Sequence, residues 1–306
     1  ELERSLRTMS ANVGVGLSRV RLKRLRGREL SVLLDAILPM ESRLKERVAW
    51  LSQGNPMHAI QIIRYLKSSE RLKPEQGHWV LVEGVARQID LPPDLMDLMH
   101  LRVQQAVELN PNCRNLGETI TWIAILGIRV PIALLSKVMT QEYNINAVQL
   151  DQNLQVLHKF GIVHERTHRD VRCVEFDNSL LRESLLQEVS SNPKKAKLHE
   201  VAADVKIAYY RALNQDAPLL EVAEHWRRAG DQERYRDALF DAARRSMRAQ
   251  DPRGAREQFR ELLRLLEGRN ERNAIWAEAL VSLAELSWRF GELGLSEDNY
   301  RKVIDA

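Results

Sequence analysis

Cysteine is nearly absent. Cys113 and Cys173 are the only two in 306 residues. They have no metal-ligand spacing and sit in no basic triad, so a disulfide scaffold, a zinc ribbon and a catalytic thiol all lack their raw material. A reduced, cytoplasmic setting is the expectation. Aromatic residues are scarce, at 6% of the chain, while Leu, Ala, Arg and Glu dominate, a composition that favours helices. No apolar run reaches membrane-spanning length and no signal peptide is evident, so no membrane partner is expected. Neither charge sign prevails: 46 Lys and Arg face 42 Asp and Glu, a net +4. That balance is compatible with nucleic acid without indicating it. A phosphate-cradling G-x-x-x-x-G-K-[ST] loop is missing too. Gly14-Val15-Gly16 has neither the lysine nor the spacing.

What is present is a length fit for two or three domains. The pattern centres on residues 154–186, LQVLHKFGIVHERTHRDVRCVEFDNSLLRESLL. Leu154, Leu157 and Phe160 end an apolar helix that Gly161 stops. Ile162–Arg166 and Val171–Phe176 are β-rich runs separated by the polar turn Thr167-His168-Arg169-Asp170, which predicts a hairpin. A new amphipathic helix begins at Asp177 or Asn178. Upstream, periodicity predicts helices over Leu116–Leu126, Pro131–Met139 and about Ala147–Phe160. Three helices closed by a two-stranded wing are the winged-helix plan, placed at 113–190.

Residues 1–112 read as a short charged helix at 1–12 and an extended run over Val13–Leu25. Helices at Glu29–Leu38, Glu41–Gln53 and Met57–Ser69 follow, then a strand at Trp79–Val82 and a helix opened by Pro92-Pro93. The break at Gly54-Asn55-Pro56 is needed because Pro56 cannot continue the hydrogen bonding of a helix. From about residue 191 everything predicts helices, near 194–213, 218–229, 231–249, 252–266, 272–291 and 296–305, the size of solenoid helix pairs. Ala243, Ala255, Leu280, Leu283, Ala284, Ser296, Tyr300 and Val303 take the core positions of degenerate tetratricopeptide-like repeats. Trp276 and Trp288 are also expected in the core. The fold class is therefore mainly α: a helical region over 1–112, which the resemblance given next assigns to the end of an NTPase core and a helical lid, a winged helix of three helices and a β-hairpin (113–190), and an α-solenoid arm of tetratricopeptide-like helix pairs (191–306).

Four stretches, in order, resemble a family. LSQGNPMHAIQIIRYL resembles the helical-lid motif of STAND-type signalling ATPases, a branch related to the AAA+ proteins, and LPPDLMDLMHLRV the segment after it. VEFDNSLLRESLLQEV is similar to their F-x-H-x-L-hydrophobic-R-E signature. AEHWRRAGDQERYRDALFDAA resembles the helix pair that opens their repeat arm. The relatives implied are bacterial multidomain regulators: kinase–ATPase fusions, cyclase-linked ATPases and LuxR-type activators. The resemblance implies a nucleotide role for Asn55, Pro56 and Asn178, the last standing where the family has His. It also implies ATP or ADP with Mg in an intact protein whose phosphate loop lies upstream of Glu1, with no cofactor held by this chain itself. The opening ELERSLRTMS, without an initiator Met, supports the expectation of a piece of a longer protein whose arm runs on past Ala306.

The function expected is regulatory, not enzymatic. The lid and winged helix would gate nucleotide-dependent opening, and the arm would bind a protein partner or self-associate in signal transduction. The alternative is a winged-helix DNA-binding transcriptional regulator, aided by the cations between Arg19 and Arg28. Nucleic acid is not the expected partner, because Ala147–Phe160 carries Lys159 as its one Lys or Arg. His164-Glu165-Arg166-Thr167-His168 matches H-E-x-x-H, but on a strand the two Cα atoms stand about 13 Å apart, so no metal is expected. His225, beside Trp226, reads as a packing residue with one hydrogen bond.

Overall fold

The computed structural model describes residues 23–82, 94–269 and 271–305. The expected helix at 1–12, most of the extended run at 13–25, and Pro92-Pro93 lie outside the described residues. Fourteen helices and two small sheets among those residues make the fold mainly α. The chain divides into two compact units, up to Arg102 and from Val103 on.

The first unit holds α1 (Arg28–Ile37), α2 (Ser42–Ser52), α3 (Pro56–Ser68), β1 (Leu72–Glu75) and β2 (His78–Leu81). Its core is built from one stripe of each helix: Leu30 and Leu34, Leu44, Val48 and Leu51, then Ala59, Ile62, Ile63 and Leu66. The α2–α3 break is tight. Gly54 has φ +78°, and a Cβ there would stand 2.2 Å from the Leu25 carbonyl oxygen. Glycine is required both for the left-handed backbone and for this close approach, which the Leu25 N–H to Gly54 O hydrogen bond (2.9 Å) fixes. Pro56 then opens α3 at the position where its missing N–H costs nothing. The first residues of α4 (Leu95–Glu108) belong here as well, with Leu98 fully buried.

The second unit continues through α5 (Leu116–Leu126), β3 (Val130–Pro131), α6 (Ile132–Tyr143), α7 (Ala147–Lys159), β4 (Val163–His168), β5 (Val171–Phe176) and α8 (Ser179–Ser191). α5 is apolar nearly all round, with Ile120, Trp122, Ile123 and Ala124 buried, as a central helix must be. Its polar neighbour Asn153 on α7 is buried but satisfied, donating Nδ2 to Thr119 Oγ1 (2.9 Å) and to the Arg114 carbonyl (3.0 Å). The sheet runs β3-β5-β4, all antiparallel, with Val163 opposite Phe176 and His168 opposite Val171. Two expectations change here. The polar turn is two residues, Arg169-Asp170, not four, because Thr167 and His168 continue the ladder; both turn residues have positive φ, 46° and 63°. A third strand, β3, joins the predicted hairpin.

The rest is α9 (Lys195–Ala212), α10 (Leu219–Ala229), α11 (Gln232–Arg248), α12 (Pro252–Gly268), α13 (Ala274–Arg289) and α14 (Leu293–Ile304). Each packs on the next through a short connection, which makes neighbours antiparallel. Residues 113–190 and 191–306, read from the sequence as separate domains, share this one compact unit, and α9 packs directly on α5 and α6. Two packing expectations fail at the far end. Trp288 is 65% exposed and Tyr300 39%, because the helix stripes run through Leu280, Leu283, Ala284 and Ser287, and through Ser296 and Asn299.

Candidate functional site

The sequence-expected site residues cap helices. Asn55 precedes α3, and its Oδ1 accepts from the backbone N–H groups of Met57 (3.0 Å) and His58 (3.3 Å). Asn178 precedes α8, and its Oδ1 accepts from Leu180 N (2.8 Å). Both are the interaction to which asparagine is suited at an N-cap. Pro56, beside Asn55, is exposed. Asn55 and Pro56 belong to the first unit and Asn178 to the second. The caps engage first-turn N–H groups of the kind a phosphate would use. Among the described residues no group of three His, Cys, Asp or Glu side chains could hold a metal ion. His164 does not pair with His168; its Nδ1 lies 2.6 Å from Asp177 Oδ1.

A denser group of polar side chains forms where α5, α8, α9 and α10 meet. The buried stripe of α9 runs 199, 202, 203, 206 at the i, i+3, i+4, i+7 spacing of a core face, and two of the four are His199 and Lys206. Lys206 is 2% exposed. Its ammonium donates to Glu221 Oε2 of α10, a carboxylate that itself reaches solvent. Burial pulls the Lys206 pKa down, and Glu221 opposes that pull. His225, one helical turn beyond Glu221, turns back to His199: the two Nδ1 atoms are 3.1 Å apart and the ring centroids 5.3 Å. Such a contact needs one imidazole to donate and the other to accept, so the two rings cannot both be charged. Burial, reinforced by the nearby cations Lys206 and Arg228, holds His225 at about 3; burial, then Arg228, holds His199 at about 4.

Three arginines complete the group. Arg182 of α8 donates Nε to the Ala124 carbonyl (3.0 Å), one of the last-turn carbonyls of α5 that lack a helical partner. Burial foremost, then Arg228, lowers its pKa. Glu224 accepts from Arg227 (2.7 and 2.8 Å) and from Arg228 (2.6 Å), and these bonds, Arg227 first, hold its carboxyl at about 2. Gly127, just past α5 with φ +146°, lies against this pair: a Cβ there would be 3.8 Å from Glu221 Oε2. The backbone angle, not the space, demands glycine.

All of these except His199 and Arg227 line a cleft of 560 Å³ whose remaining walls are Ile125, Leu126, Ile128, Arg129 and Leu220. The volume is that of a small-molecule site. Sequence reading singled out His225 and quoted Arg182 within a motif, but it passed over Lys206, Glu221 and His199. A signal was there: a lysine and a histidine on the apolar stripe of one helix. Compared with known proteins, the chain matches no family model and no curated protein.

Proposed function

We propose that the chain is a non-catalytic regulatory and interaction region of a STAND-type signalling ATPase. In this reading 113–190 is a winged helix and 191–306 a tetratricopeptide-like arm. One observation carries the reading: α9, the first helix of the arm, packs on α5 and α6 of the helix–sheet part. A rotation of that part driven by nucleotide elsewhere in the intact protein therefore carries the arm with it, the rigid-body kind of switch. Protein partners, or a second copy, meet the arm on its exposed far helices. The DNA-binding alternative draws little from α7, whose exposed residues include Val148, Asp151, Gln152, Gln155 and one lysine, Lys159.

The test is ADP retention in the intact ATPase. Asn178→Ala removes a cap worth about 1 kcal/mol of stability and, in this reading, also speeds ADP release. Asn178→His, which installs the residue of the resembled signature, slows it. An ADP off-rate unchanged in both variants sinks the gating role and leaves Asn178 a cap alone.

A further inference from the structure

We propose that the cleft bounded by α5, α8, α9 and α10 binds a small monocarboxylate with an apolar body, its carboxylate taken by Arg182 and its body lying against Ile125, Ile128 and Leu220. The inference does not depend on the regulatory reading above.

Charge accounting around the cleft selects the ligand. Four cations line it, Arg129, Arg182, Lys206 and Arg228. Arg129 lies 3.3 Å from Glu175, Lys206 is bonded to Glu221, and Arg228 lies 2.6 Å from Glu224. Arg182 alone of the four makes no ion pair among the described residues. Its guanidinium is nonetheless held in place, because Nε is spent on the Ala124 carbonyl. Both Nη groups are left without a partner among the described residues, in the forked geometry that matches a carboxylate. One fixed, half-buried positive charge without an ion pair among the described residues calls for one negative charge. A dianion would place its second charge near Glu221 and Glu224 with no cation free to meet it.

The walls specify the rest. Ile128 is 70% exposed and Leu220 52%, while Ile125 and Leu126 of α5, which line the same cleft, are buried. An apolar body shields these side chains from water while its head reaches the arginine, the usual division of a small-molecule pocket into apolar lining and few polar contacts. His225, neutral at its lowered pKa, adds no charge to the cleft.

Octanoate is the probe, followed by isothermal titration and by thermal melting of the whole chain, with octanamide and octyl phosphate as comparators. Octanoate is expected to bind saturably and to raise the melting temperature. Octanamide, isosteric but uncharged, is expected to bind about tenfold more weakly, as the loss of a charge-assisted bond implies. Arg182→Gln should weaken octanoate by a similar factor while weakening octanamide distinctly less, because the amide carbonyl forfeits only a hydrogen bond without a charge of its own. Because Arg182 also caps α5, a second variant is needed that leaves the fold untouched. Ile128→Glu, at an exposed position, should weaken both ligands by removing part of the apolar wall, and octanoate by roughly a further fivefold through like-charge repulsion. Absence of saturable octanoate binding, equal affinity for octanoate and octanamide, or an Ile128→Glu variant that binds octanoate unchanged overturns the proposal. So does tighter binding of octyl phosphate than of octanoate, which would show a dianion site.

Discussion

His199 and His225 can share a hydrogen bond only while one of them is a bare acceptor, so the pair cannot carry two charges. Lys206 and Arg228 face the pair from α9 and α10, Lys195 stands one turn before His199, and Glu224 is the nearby acid. Three cations against one carboxylate, in a buried place, make protonation costly. Both folded-state pKa values lie below the unfolded value of 6.5, at about 4 and about 3. A depressed histidine contributes stability that is fully present above the unfolded pKa and is lost as pH falls toward the folded one. Between about pH 6.5 and pH 4 the unfolded chain binds more protons than the native one, so stability drops across that window. Melting temperatures measured from neutral pH down to about 4 should fall steadily. His199→Leu should flatten that slope and cost about 1–3 kcal/mol at neutral pH by stranding His225 Nδ1. A slope unchanged in His199→Leu would show that other groups set the acid limit. At this scale the sequence is only partly legible. His225 reads correctly as a packing residue with one hydrogen bond, but its partner is 26 residues away on another helix, and no local pattern joins them. Lys206 is passed over for a different reason: lysine is almost never fully buried, so its place on an apolar stripe looks like noise.

Helices were the most legible elements, because a stripe at 3.6-residue spacing survives in the sequence whatever it packs against. The expected helix at Leu116–Leu126 matches α5 in both its ends. Strands were less so. β3 has two residues, Val130 and Pro131, and exists only because Val174 and Cys173 of β5 lie opposite. β1 contains Pro74, which argues against a strand, yet it is one half of a two-stranded sheet where a missing N–H is tolerated. Turn chemistry was misjudged at the other hairpin. Arg169-Asp170 occupies a two-residue turn with both φ values positive, conformations that favour Asn-Gly and that arginine adopts at a cost. Arg169→Asn should therefore stabilise the protein by about 0.5–1 kcal/mol, visible as a raised melting temperature with no change in helical content. Arg169 is exposed and has no hydrogen bond or ion pair among the described residues, so the substitution removes nothing to offset that gain. An unchanged or lowered melting temperature would mean that the turn relaxes in solution to a form that suits arginine.

At the scale of the molecule, the second unit is a stack of helices, and stacks can come apart one pair at a time. Repeat arrays behave this way when interfaces between neighbours are weak relative to the repeats themselves. Here the apolar cluster is continuous from Ala203 to Leu286, with Trp226, Phe259, Leu262, Trp276 and Leu280 in one body, so α9 to α13 have no weak joint at which to part. Small residues set how close the helices come: Ala243, Ala255, Ala279 and Ala284 are all fully buried. The placing of Ala243, Ala255 and Ala284 is legible in the sequence; the closeness they permit is not, because it depends on both partners at once. Ala255→Leu tests the point. Nothing in a contact this tight can accommodate a larger side chain without shifting α11 against α12, at about 1–3 kcal/mol. If the cluster is one cooperative body, that loss is not confined to the two helices that carry it. Native-state hydrogen exchange should then show slow amides throughout 203–286 losing protection by a similar amount. Amides in 28–68, which belong to the other unit and its separate core, should keep theirs. Loss of protection limited to α11 and α12 would show instead that the arm opens pair by pair, in which case a motion delivered to α9 need not reach α13.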